Sequence, residues 1–569
     1  MTKSAKITLI KLLIVLLLSG SMLLLPFEEW GIPINTVQTR VIALFVFAAL
    51  MWILEVIPIW TTSVLVITLT LLCMSNTSLN CMQTERYDAA AVKSIIAAAY
   101  DGSGATAETV ADTQESVLAE MKKQTSLSPA YVRTTINNAI LAPVVKGKAD
   151  DTAKAGLMTA AGKLYDGELS KQIDDMKLVS VAKQKSIFGT FADPIIILFL
   201  GGFFLADAAT KFRLDVNLAR VLLKPFGTNP KYVLLGLMSV TAVFSMFMSN
   251  TATAAMMLAL LTPVLALFSP EDRGRAAFAL CIPIGANVGG IGTPIGTPPN
   301  AIALKYMQDL GLDVTFGKWM MFGIPFVIIM LLVAWFLLLK MFPITQPKLD
   351  LSRELKGKFL TTPKAIIVYA TFIITILLWV IPKQYHGLDA NSVAIVPIVV
   401  FSVTGVITKK DLRGMAWDVL WLVAGGFALG VALSETNLAK DMINAIPFGE
   451  WNSTVLLIGA SCICLFMATF MSHTATAALL VPILGGVAGA MMAAGSMDNP
   501  GAIALLVTVA FASSLGMALP ISTPPNAMAY ATGHVEQKGM AISGTILCLL
   551  GLIITIFMMV GLGAIGFFD

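Results

Sequence analysis

Long apolar runs separated by short polar breaks dominate this chain of 569 residues. Runs of this length with few charges are typical of helices that cross a hydrocarbon core of about 30 Å. The first run resembles the core of a signal peptide, but it is long and more runs follow, so we interpret it as a retained helix. The pattern predicts membrane spans near 7–25, 39–57, 59–74, 190–207, 275–306, 316–342, 364–382, 390–408, 416–433, 502–532 and 541–567.

Two further apolar segments, 231–267 and 452–491, have the length of a helical hairpin and a polar motif near the middle. The motif Ser-Asn-Thr-Ala-Thr-Ala-Ala at 249–255 returns 223 positions later as Ser-His-Thr-Ala-Thr-Ala-Ala. Thr-Pro-Pro-Asn-Ala at 297–301 returns after 226 positions, and Gly-Gly-Phe at 201–203 after 224. Three motifs in one order at nearly one offset indicate an internal duplication.

The two copies are expected to have opposite orientations. If each hairpin enters and leaves on one side, each repeat contains five crossings, which is an odd number. This is the inverted-repeat plan of many secondary transporters, in which polar breaks at matching places mark the substrate site. Lys and Arg are concentrated in the loops that become cytoplasmic when the N-terminus is inside, so we expect the N-terminus inside and the C-terminus outside.

The segment at about 75–188 is polar and Ala-rich, with helix-forming pieces between breaks such as Gly102 and Pro129. We predict a mostly helical extracytoplasmic insertion that the second repeat lacks. The predicted domains are therefore N-terminal scaffold helices at 1–74, the insertion at 75–188, the rest of the first repeat at 189–345 (hairpin 231–267, broken helix 275–306) and the second repeat at 363–569 (hairpin 452–491, broken helix 502–532).

Composition narrows the function class. The chain is 57% hydrophobic and 13% charged, with a mean hydropathy of +0.82, as in integral membrane proteins. The lipid bilayer is the expected environment and no nucleic acid is expected as a partner. Neither His-Glu-x-x-His nor Gly-x-Ser-x-Gly occurs, and the six cysteines have no metal-ligand spacing, so we do not expect an enzyme.

The polar motifs have the chemistry of an ion site. Ser245 and Ser249 are four residues apart, hence on one helical face, and Asn250 and Thr251 follow. Their oxygens suit Na⁺, and their hydroxyl and amide groups also donate to carboxylates. Prolines and glycines at 292–300 exclude a regular helix, so carbonyl and N–H groups are exposed there as well. The triplet at 75–77 copies Ser-Asn-Thr without its continuation, and we interpret it as a helix-end cap.

Ser-Asn-Thr with Thr-Pro-Pro-Asn, each in two copies on an inverted repeat, resembles the divalent anion/sodium symporter family. The resemblance covers the chain except the insertion. It implies an all-α integral membrane fold of the inverted-repeat elevator type, with two re-entrant helical hairpins and two broken helices in the mobile part. It further implies a homodimer in the cytoplasmic membrane that transports small dicarboxylates such as succinate or malate, coupled to Na⁺; tricarboxylates and sulfate are carried in some branches.

The resemblance also implies the site residues. The first Na⁺ site would use Ser245, Ser249, Asn250 and Gly296. The second would use positions 468, 471 and 473 with Ser522. The residues expected to face the substrate carboxylates are Ser249, Asn250, Thr251, Thr297, Ser472, His473, Thr474 and Thr523.

The second copy departs from this pattern at two positions. Ala468 stands where a hydroxyl would match Ser245, and His473 replaces the usual Asn. A neutral imidazole is a poor Na⁺ ligand, whereas an imidazolium neutralises a carboxylate. His473 is therefore either a neutral hydrogen-bonding residue or a countercharge that permits sodium-independent dicarboxylate exchange. Thr469 would supply the missing oxygen if the helix register shifted by one residue.

Several alternatives stay open at this point. A channel would need a continuous pore, and hairpins that meet proline-broken helices favour an occluded site instead. Hydroxyls, amides and helix ends bind succinate, malate, citrate or sulfate alike, so the sequence leaves the anion and the choice between symport and exchange undecided. Acidic residues near predicted helix ends, among them Asp193 and Asp418, are expected to be caps or scaffold features, because a dianion site should exclude carboxylates.

Overall fold

The computed structural model of this chain describes residues 3–27, 34–79, 87, 89–124, 127–146, 151–165, 167–174, 176, 178–265, 268–269, 271–349, 359–438, 441 and 452–568. Within these ranges the secondary structure is helical, with one isolated β-bridge between Ser75 and Ala182. The all-helical class expected from the hydrophobic pattern is confirmed.

The helices follow the order of the predicted regions. The first three are α1 (Lys3–Ser21), α2 (Thr36–Leu54) and α3 (Ile59–Met74). The polar segment forms α4 (Ala89–Tyr100), α5 (Ala107–Lys123), α6 (Pro129–Val145), α7 (Asp151–Gly162), α8 (Gly167–Asp174) and α9 (Gln184–Gly189). Next come α10 (Pro194–Lys211), α11 (Leu214–Leu223), α12 (Pro230–Ser245), α13 (Asn250–Leu265), α14 (Gly274–Gly290), α15 (Pro298–Asp309) and α16 (Phe316–Met341).

The C-terminal part continues in the same style. It consists of α17 (Pro363–Val380), α18 (Lys383–His386), α19 (Ala390–Val403), α20 (Lys409–Arg413), α21 (Trp417–Glu435), α22 (Ser453–Phe470), α23 (His473–Ala493), α24 (Asn499–Leu515), α25 (Pro524–Ala531) and α26 (Gln537–Ala564).

Among the described residues, nine helices are long and apolar enough to cross a membrane, which makes the chain a multi-pass membrane protein. They are Lys6–Leu24, Thr36–Leu54, Gln184–Lys211, Phe316–Met341, Pro363–Val380, Trp417–Glu435, Ser453–Phe470, His473–Ala493 and Gln537–Ala564. The predicted spans at 59–74 and 390–408 coincide with shorter apolar helices, α3 and α19. The predicted runs at 275–306 and 502–532 are each divided into two helices.

Both runs divide immediately before a Pro-Pro pair. Pro298 and Pro299 open α15, and Pro524 and Pro525 open α25. A proline lacks the backbone N–H that a helix interior requires, but the first turn has no intrahelical partner for that group. The prolines therefore end the preceding apolar run and start a new helix without loss of a hydrogen bond.

An asparagine in each new helix closes the break. The Nδ2 atom of Asn300 donates to the carbonyl oxygens of Gly290 at 3.1 Å, Ile291 at 3.3 Å and Thr293 at 2.8 Å. The Nδ2 atom of Asn526 donates to the carbonyl oxygens of Met517 at 2.7 Å and Leu519 at 3.1 Å. These carbonyls have lost their helical partners, so the side-chain amides supply the donors that a buried break requires.

The chain divides into two compact units. One comprises residues 1–47, 65–189 and 428–446, and the other comprises 48–64, 190–427 and 447–569. In the second unit α12 packs against α14, and α22 packs against α24. A Cβ atom on Gly516 would lie 2.5 Å from the carbonyl carbon of Ala468, so glycine is required where α22 meets the end of α24.

The insertion has an apolar core of its own. Ile96, Ile136 and Ile140 are fully buried among neighbouring side chains of α4 to α8. Arg133 ties α6 to the end of the insertion, because its Nη2 atom lies 2.8 Å from Asp174 Oδ1. This cluster packs the helices of the insertion against one another.

The triplet at 75–77 lies at the end of α3, where Ser75 Oγ donates to the Leu71 carbonyl at 2.6 Å, and it also fastens the return of the insertion to α3. The backbone N–H of Asn76 donates to the Ala182 carbonyl at 2.9 Å, and Ala182 N–H donates to the Met74 carbonyl at 2.8 Å. The side-chain Oδ1 atom of Asn76 accepts from the backbone N–H of Gln184 at 2.8 Å. The returning segment is also held by Glu435, whose carboxylate accepts a hydrogen bond from Ser186 Oγ at 2.7 Å.

The insertion core generates a stability prediction. Ile136→Ala removes a fully buried side chain and should cost the insertion about 2–5 kcal/mol. Limited proteolysis of the purified protein should then cleave between residues 89 and 174 at a lower urea concentration than in the wild type. Thr134→Ala, an exposed change two residues away, is the matched control. Equal protease resistance in both variants would contradict an independent core.

Candidate functional site

The second unit contains a cavity of about 390 Å³ at the points where its helices break. Every residue that the family resemblance assigns to the substrate lines this cavity: Ser249, Asn250, Thr251, Thr297, Ser472, His473, Thr474 and Thr523. Gly296 and Ser522 line it as well, and Ser245 contacts Asn250 directly behind the wall. Residues 223 to 226 positions apart in the sequence are thereby brought into one place.

The first polar motif lies between α12 and α13. Ser249 precedes α13, and its Oγ atom accepts a hydrogen bond from the backbone N–H of Ala252 at 3.2 Å. Ser, Asn and Thr are favoured at such starts because their side chains satisfy N–H groups that have no helical partner. The motif therefore both begins α13 and presents polar side chains to the cavity.

The second motif is built in the same way. Ser472 is the N-cap of α23, and its Oγ atom accepts from the backbone N–H of Ala475 at 3.1 Å. His473, the first residue of α23, is 8% exposed, and its Nε2 atom lies 2.8 Å from the carbonyl oxygen of Gly516. A carbonyl oxygen only accepts, so Nε2 carries the proton and donates.

Thr297 and Thr523 hold equivalent positions before the Pro-Pro pairs. Both are extended, with φ of −147° and −145°. Thr523 Oγ1 accepts from the backbone N–H of Asn526 at 3.2 Å. Since α15 and α25 open with prolines, their first turns lack two N–H donors, and the threonine hydroxyls are the groups that these helices offer to the cavity.

Helix ends give the cavity its electrostatic character. The first residues of α13, α15, α23 and α25 line it, namely Asn250, Pro298, His473 and Pro524. Each helix start carries about half a positive charge from the aligned peptide dipoles. Four such starts around one cavity favour the binding of an anion.

A cluster of oxygens lies beside the first motif, where α12 and α14 end. Ser245 Oγ lies 2.7 Å from the Ala286 carbonyl oxygen and 2.7 Å from Asn250 Oδ1. The same side-chain position of Asn250 lies 3.2 Å from the carbonyl oxygens of Ala286 and Gly296. Either the amide nitrogen occupies this position and its two N–H groups are shared among the three oxygens, or the oxygen occupies it and a cation bound by all four oxygens offsets their repulsion. The donor set of hydroxyl, amide and carbonyl oxygens at two helix C-termini fits a small hard cation such as Na⁺.

The equivalent place in the second repeat has a different chemistry. Ala468 replaces Ser245, and the proton on His473 Nε2 fills the space beside the Gly516 carbonyl, which corresponds to Gly290. The Oγ atom of Ser522 donates to the Thr469 carbonyl at 2.6 Å. Of the four positions expected for a second Na⁺ site, Ala468 and His473 therefore lack the side-chain oxygens of the first repeat, and a hydrogen bond takes their place.

Several lining residues were missed by the sequence reasoning. Asn287 and four aromatic side chains complete the wall; the aromatics are Trp60, Phe199, Phe203 and Phe247. The aromatics lie in apolar runs, where packing is the simplest interpretation. Asn287 is not repeated as asparagine in the second repeat, where Ser513 stands at the matching position. Only the folded chain brings them to the cavity.

The acidic residues divide into two cases. Asp193 is the N-cap of α10, accepts from the Ile195 N–H at 2.9 Å and lies 3.1 Å from Lys305 Nζ, so its expected structural role is confirmed. Asp418 is exposed and lines the cavity, although a carboxylate was expected to be excluded there.

Comparisons with known proteins place these features in context. The family model described as "Citrate transporter" matches residues 151–506. An uncharacterized transporter of Haemophilus influenzae is 33% identical over 393 residues, which cover 66% of this chain and 82% of that protein. The sodium-dependent dicarboxylate transporter SdcS of Staphylococcus aureus is 30% identical over 418 residues, 67% of this chain and 78% of SdcS. The inorganic phosphate transporter PHO87 of Saccharomyces cerevisiae is 31% identical over 376 residues, 64% of this chain but only 39% of PHO87.

The oxygen cluster can be tested by filling it. A Cβ atom on Gly290 would lie 2.6 Å from Asn250 Oδ1 and 3.0 Å from the Gly296 carbonyl oxygen. Na⁺ should raise the melting temperature of the wild-type protein relative to K⁺, because a bound ion stabilises the folded state. Gly290→Ala should remove this difference.

Gly459→Ala is the control, since among the described residues no atom apart from the adjacent residues and nearby backbone of α22 lies within 4 Å of the place that a methyl group on Gly459 would take. It should keep the response to Na⁺. A Na⁺-specific shift that survives in Gly290→Ala would exclude the cluster around Asn250 as the cation site.

Proposed function

This chain belongs to the citrate transporter family, and we propose that it is a secondary transporter that carries small dicarboxylate anions across the cytoplasmic membrane. One observation carries the proposal: polar motifs from both halves of the chain line a single cavity that four helix starts surround. Backbone N–H groups of α13 and α23, with hydroxyls from Ser249, Ser472 and Thr523, are suited to bind the two carboxylates. The name of SdcS, with which this chain shares 30% identity, points to the same substrate class.

The transport step we propose is an elevator movement. The helix pairs α12–α13 and α22–α23 pack with the broken helices α14–α15 and α24–α25, so the helices that carry the polar motifs of the cavity form one packed group. Such a group can carry an occluded ion without opening a continuous pore. The remaining membrane helices would form the scaffold and the homodimer contact, with the N-terminus inside, the C-terminus outside and the insertion at 75–188 on the outer side.

Coupling to one Na⁺ is the favoured energy source. A dianion moved alone through a low-dielectric region is costly, and one bound cation reduces the charge that must cross. The oxygen cluster of Ser245, Asn250, Ala286 and Gly296 supplies suitable ligands next to the anion cavity. The relatives named as sodium-dependent dicarboxylate transporters agree with this choice.

Exchange of one anion for another is the second candidate, and His473 is the observation in its favour. In the second repeat a protonated Nε2 atom occupies the place where the first repeat gathers oxygens. If His473 also takes up a proton on its other nitrogen, the resulting cation neutralises part of the dianion. A fixed cation in an empty carrier opposes its return, so the carrier would then cycle more readily with an anion in each direction.

The substrate motifs generate the first transport prediction. Asn250→Ala and Thr251→Ala should each reduce uptake of labelled dicarboxylate into proteoliposomes by at least about tenfold, because each removes a polar group of the cavity wall and little packing. Asn76→Ala is the control, since it changes the same residue type in the Ser-Asn-Thr triplet at 75–77, which contacts the returning end of the insertion. Undiminished uptake in both cavity variants would exclude the first motif from the substrate site.

The coupling alternatives are separated by a change in the second repeat. The double variant Ala468→Ser, His473→Asn restores the residue types of the first repeat and should make uptake depend more steeply on Na⁺ concentration and less on internal dicarboxylate. His534→Asn is the control, because His534 lies in a loop away from the cavity, where burial and the charge of Arg275 lower its pKa. If the wild type already shows steep Na⁺ cooperativity and no stimulation by internal anion, exchange is ruled out.

A further inference from the structure

Asn287 in α14 is held in one orientation by a chain of hydrogen bonds. Its Nδ2 atom lies 3.2 Å from Asn526 Oδ1 and 3.2 Å from Thr523 Oγ1. The amide of Asn526 cannot turn round, because its Nδ2 atom donates to the Met517 and Leu519 carbonyl oxygens, which only accept. Asn526 therefore presents its Oδ1 acceptor to Asn287, and Asn287 donates to it from its amide N–H.

In this orientation the amide oxygen of Asn287 is left without a hydrogen-bond donor in the described part of the chain. Asn287 is fully buried, and its Oδ1 atom has no hydrogen-bond partner among the described residues. A buried carbonyl oxygen without a donor is unfavourable, and folded proteins rarely keep one without a reason. Asn287 lines the cavity beside Thr523, so an occupant of the cavity is the natural source of a donor.

The matching position of the second repeat has no such unpaired acceptor. The matching residue is Ser513, whose Oγ atom donates to the Val509 carbonyl at 2.9 Å, and it is absent from the cavity wall. Asn300 matches Asn526, and Ser513 makes no hydrogen bond to Asn300 like the one that Asn287 makes to Asn526. Asn287 is therefore an addition to one half of the cavity and is not required to build the repeat.

We propose that Asn287 Oδ1 accepts a hydrogen bond from the transported anion, and that the carrier selects divalent anions that bear a hydroxyl group. This inference rests on the proposed function and narrows it. Two kinds of anion share the required chemistry: hydroxylated dicarboxylates such as malate, and hydrogen phosphate, whose protonated oxygen is a donor.

The proposed selectivity arises because a hydroxyl group donates a hydrogen bond, whereas an unprotonated oxygen offers only lone pairs. Succinate as a dianion and sulfate offer only acceptors, so beside Asn287 Oδ1 they would oppose lone pair to lone pair. Malate differs from succinate by one hydroxyl, and hydrogen phosphate differs from sulfate in carrying a proton. A site that leaves an acceptor unpaired discriminates strongly against the analogue that lacks the donor.

The experiment compares matched pairs in proteoliposomes. Apparent affinities are measured from competition with labelled substrate for malate against succinate and for phosphate against sulfate. In the wild type at least one pair should show a preference of about tenfold for the hydroxyl-bearing member. The pair that shows it identifies the source of the hydroxyl.

Variants then assign the preference to Asn287. Asn287→Leu has a similar shape without an acceptor, and the affinity ratio should fall to about one. Asn287→Ser is the second variant in case leucine prevents folding, and the shorter side chain should also reduce the ratio. Ser513→Ala changes the repeat-related position outside the cavity wall and should leave the ratio unchanged. Because the readout is a ratio, differences in expression do not enter it.

The outcomes separate the two levels of the proposal. Saturable uptake of succinate and malate with equal affinities, and no preference for phosphate over sulfate, would overturn the role of Asn287 and leave dicarboxylate transport standing. A preference that persists in Asn287→Leu would also overturn it. Uptake of phosphate in preference to sulfate without any dicarboxylate uptake would support the hydroxyl inference and overturn the dicarboxylate substrate. Uptake of none of the four anions would overturn both.

Discussion

The constraint on which the site depends is that backbone polar groups inside a membrane protein need partners. Four helices of the second unit start in its interior, and each start and end leaves N–H or carbonyl groups without helical bonds. Asn300 and Asn526 pair the orphaned carbonyls, Ser249 and Ser472 pair N–H groups, and prolines remove others. The groups that are still available face the cavity and the oxygen cluster, where an anion and a cation can complete them.

Under the proposed function, the two copies of the repeat make two kinds of ion site from the same broken-helix arrangement. Helix starts are positive and gather at the cavity, whereas the ends of α12 and α14 are negative and meet at Ser245 and Asn250. The proposed anion and cation sites are neighbours because a broken helix has both a C-terminus and an N-terminus at the break. Each bound ion would then reduce the electrostatic cost of binding the other.

The two copies of the repeat differ in residues at or beside the cavity. Ala468 and His473 exchange an oxygen cluster for a hydrogen bond in the second copy, while Asn287 adds an acceptor in the first. Neither change disturbs the breaks themselves, since the N-cap serines and the asparagines behind the Pro-Pro pairs are present in both. These differences leave the helix breaks unchanged, and under the proposed function they alter which ions fit.

The sequence alone determined the membrane character, the duplication, the insertion and the polar motifs, because apolar run length, repeated motifs and proline chemistry are local properties of the chain. The sequence also placed Ser245 near Ser249 and Asn250, because only four or five residues separate them in the chain. Only the tertiary structure decided that Asn287 meets Asn526 across 239 positions and that Asn76 fastens the insertion. The orientation of Asn287, and the acceptor it leaves over, follow from carbonyl groups of a different helix, and no pattern along the chain records such a contact.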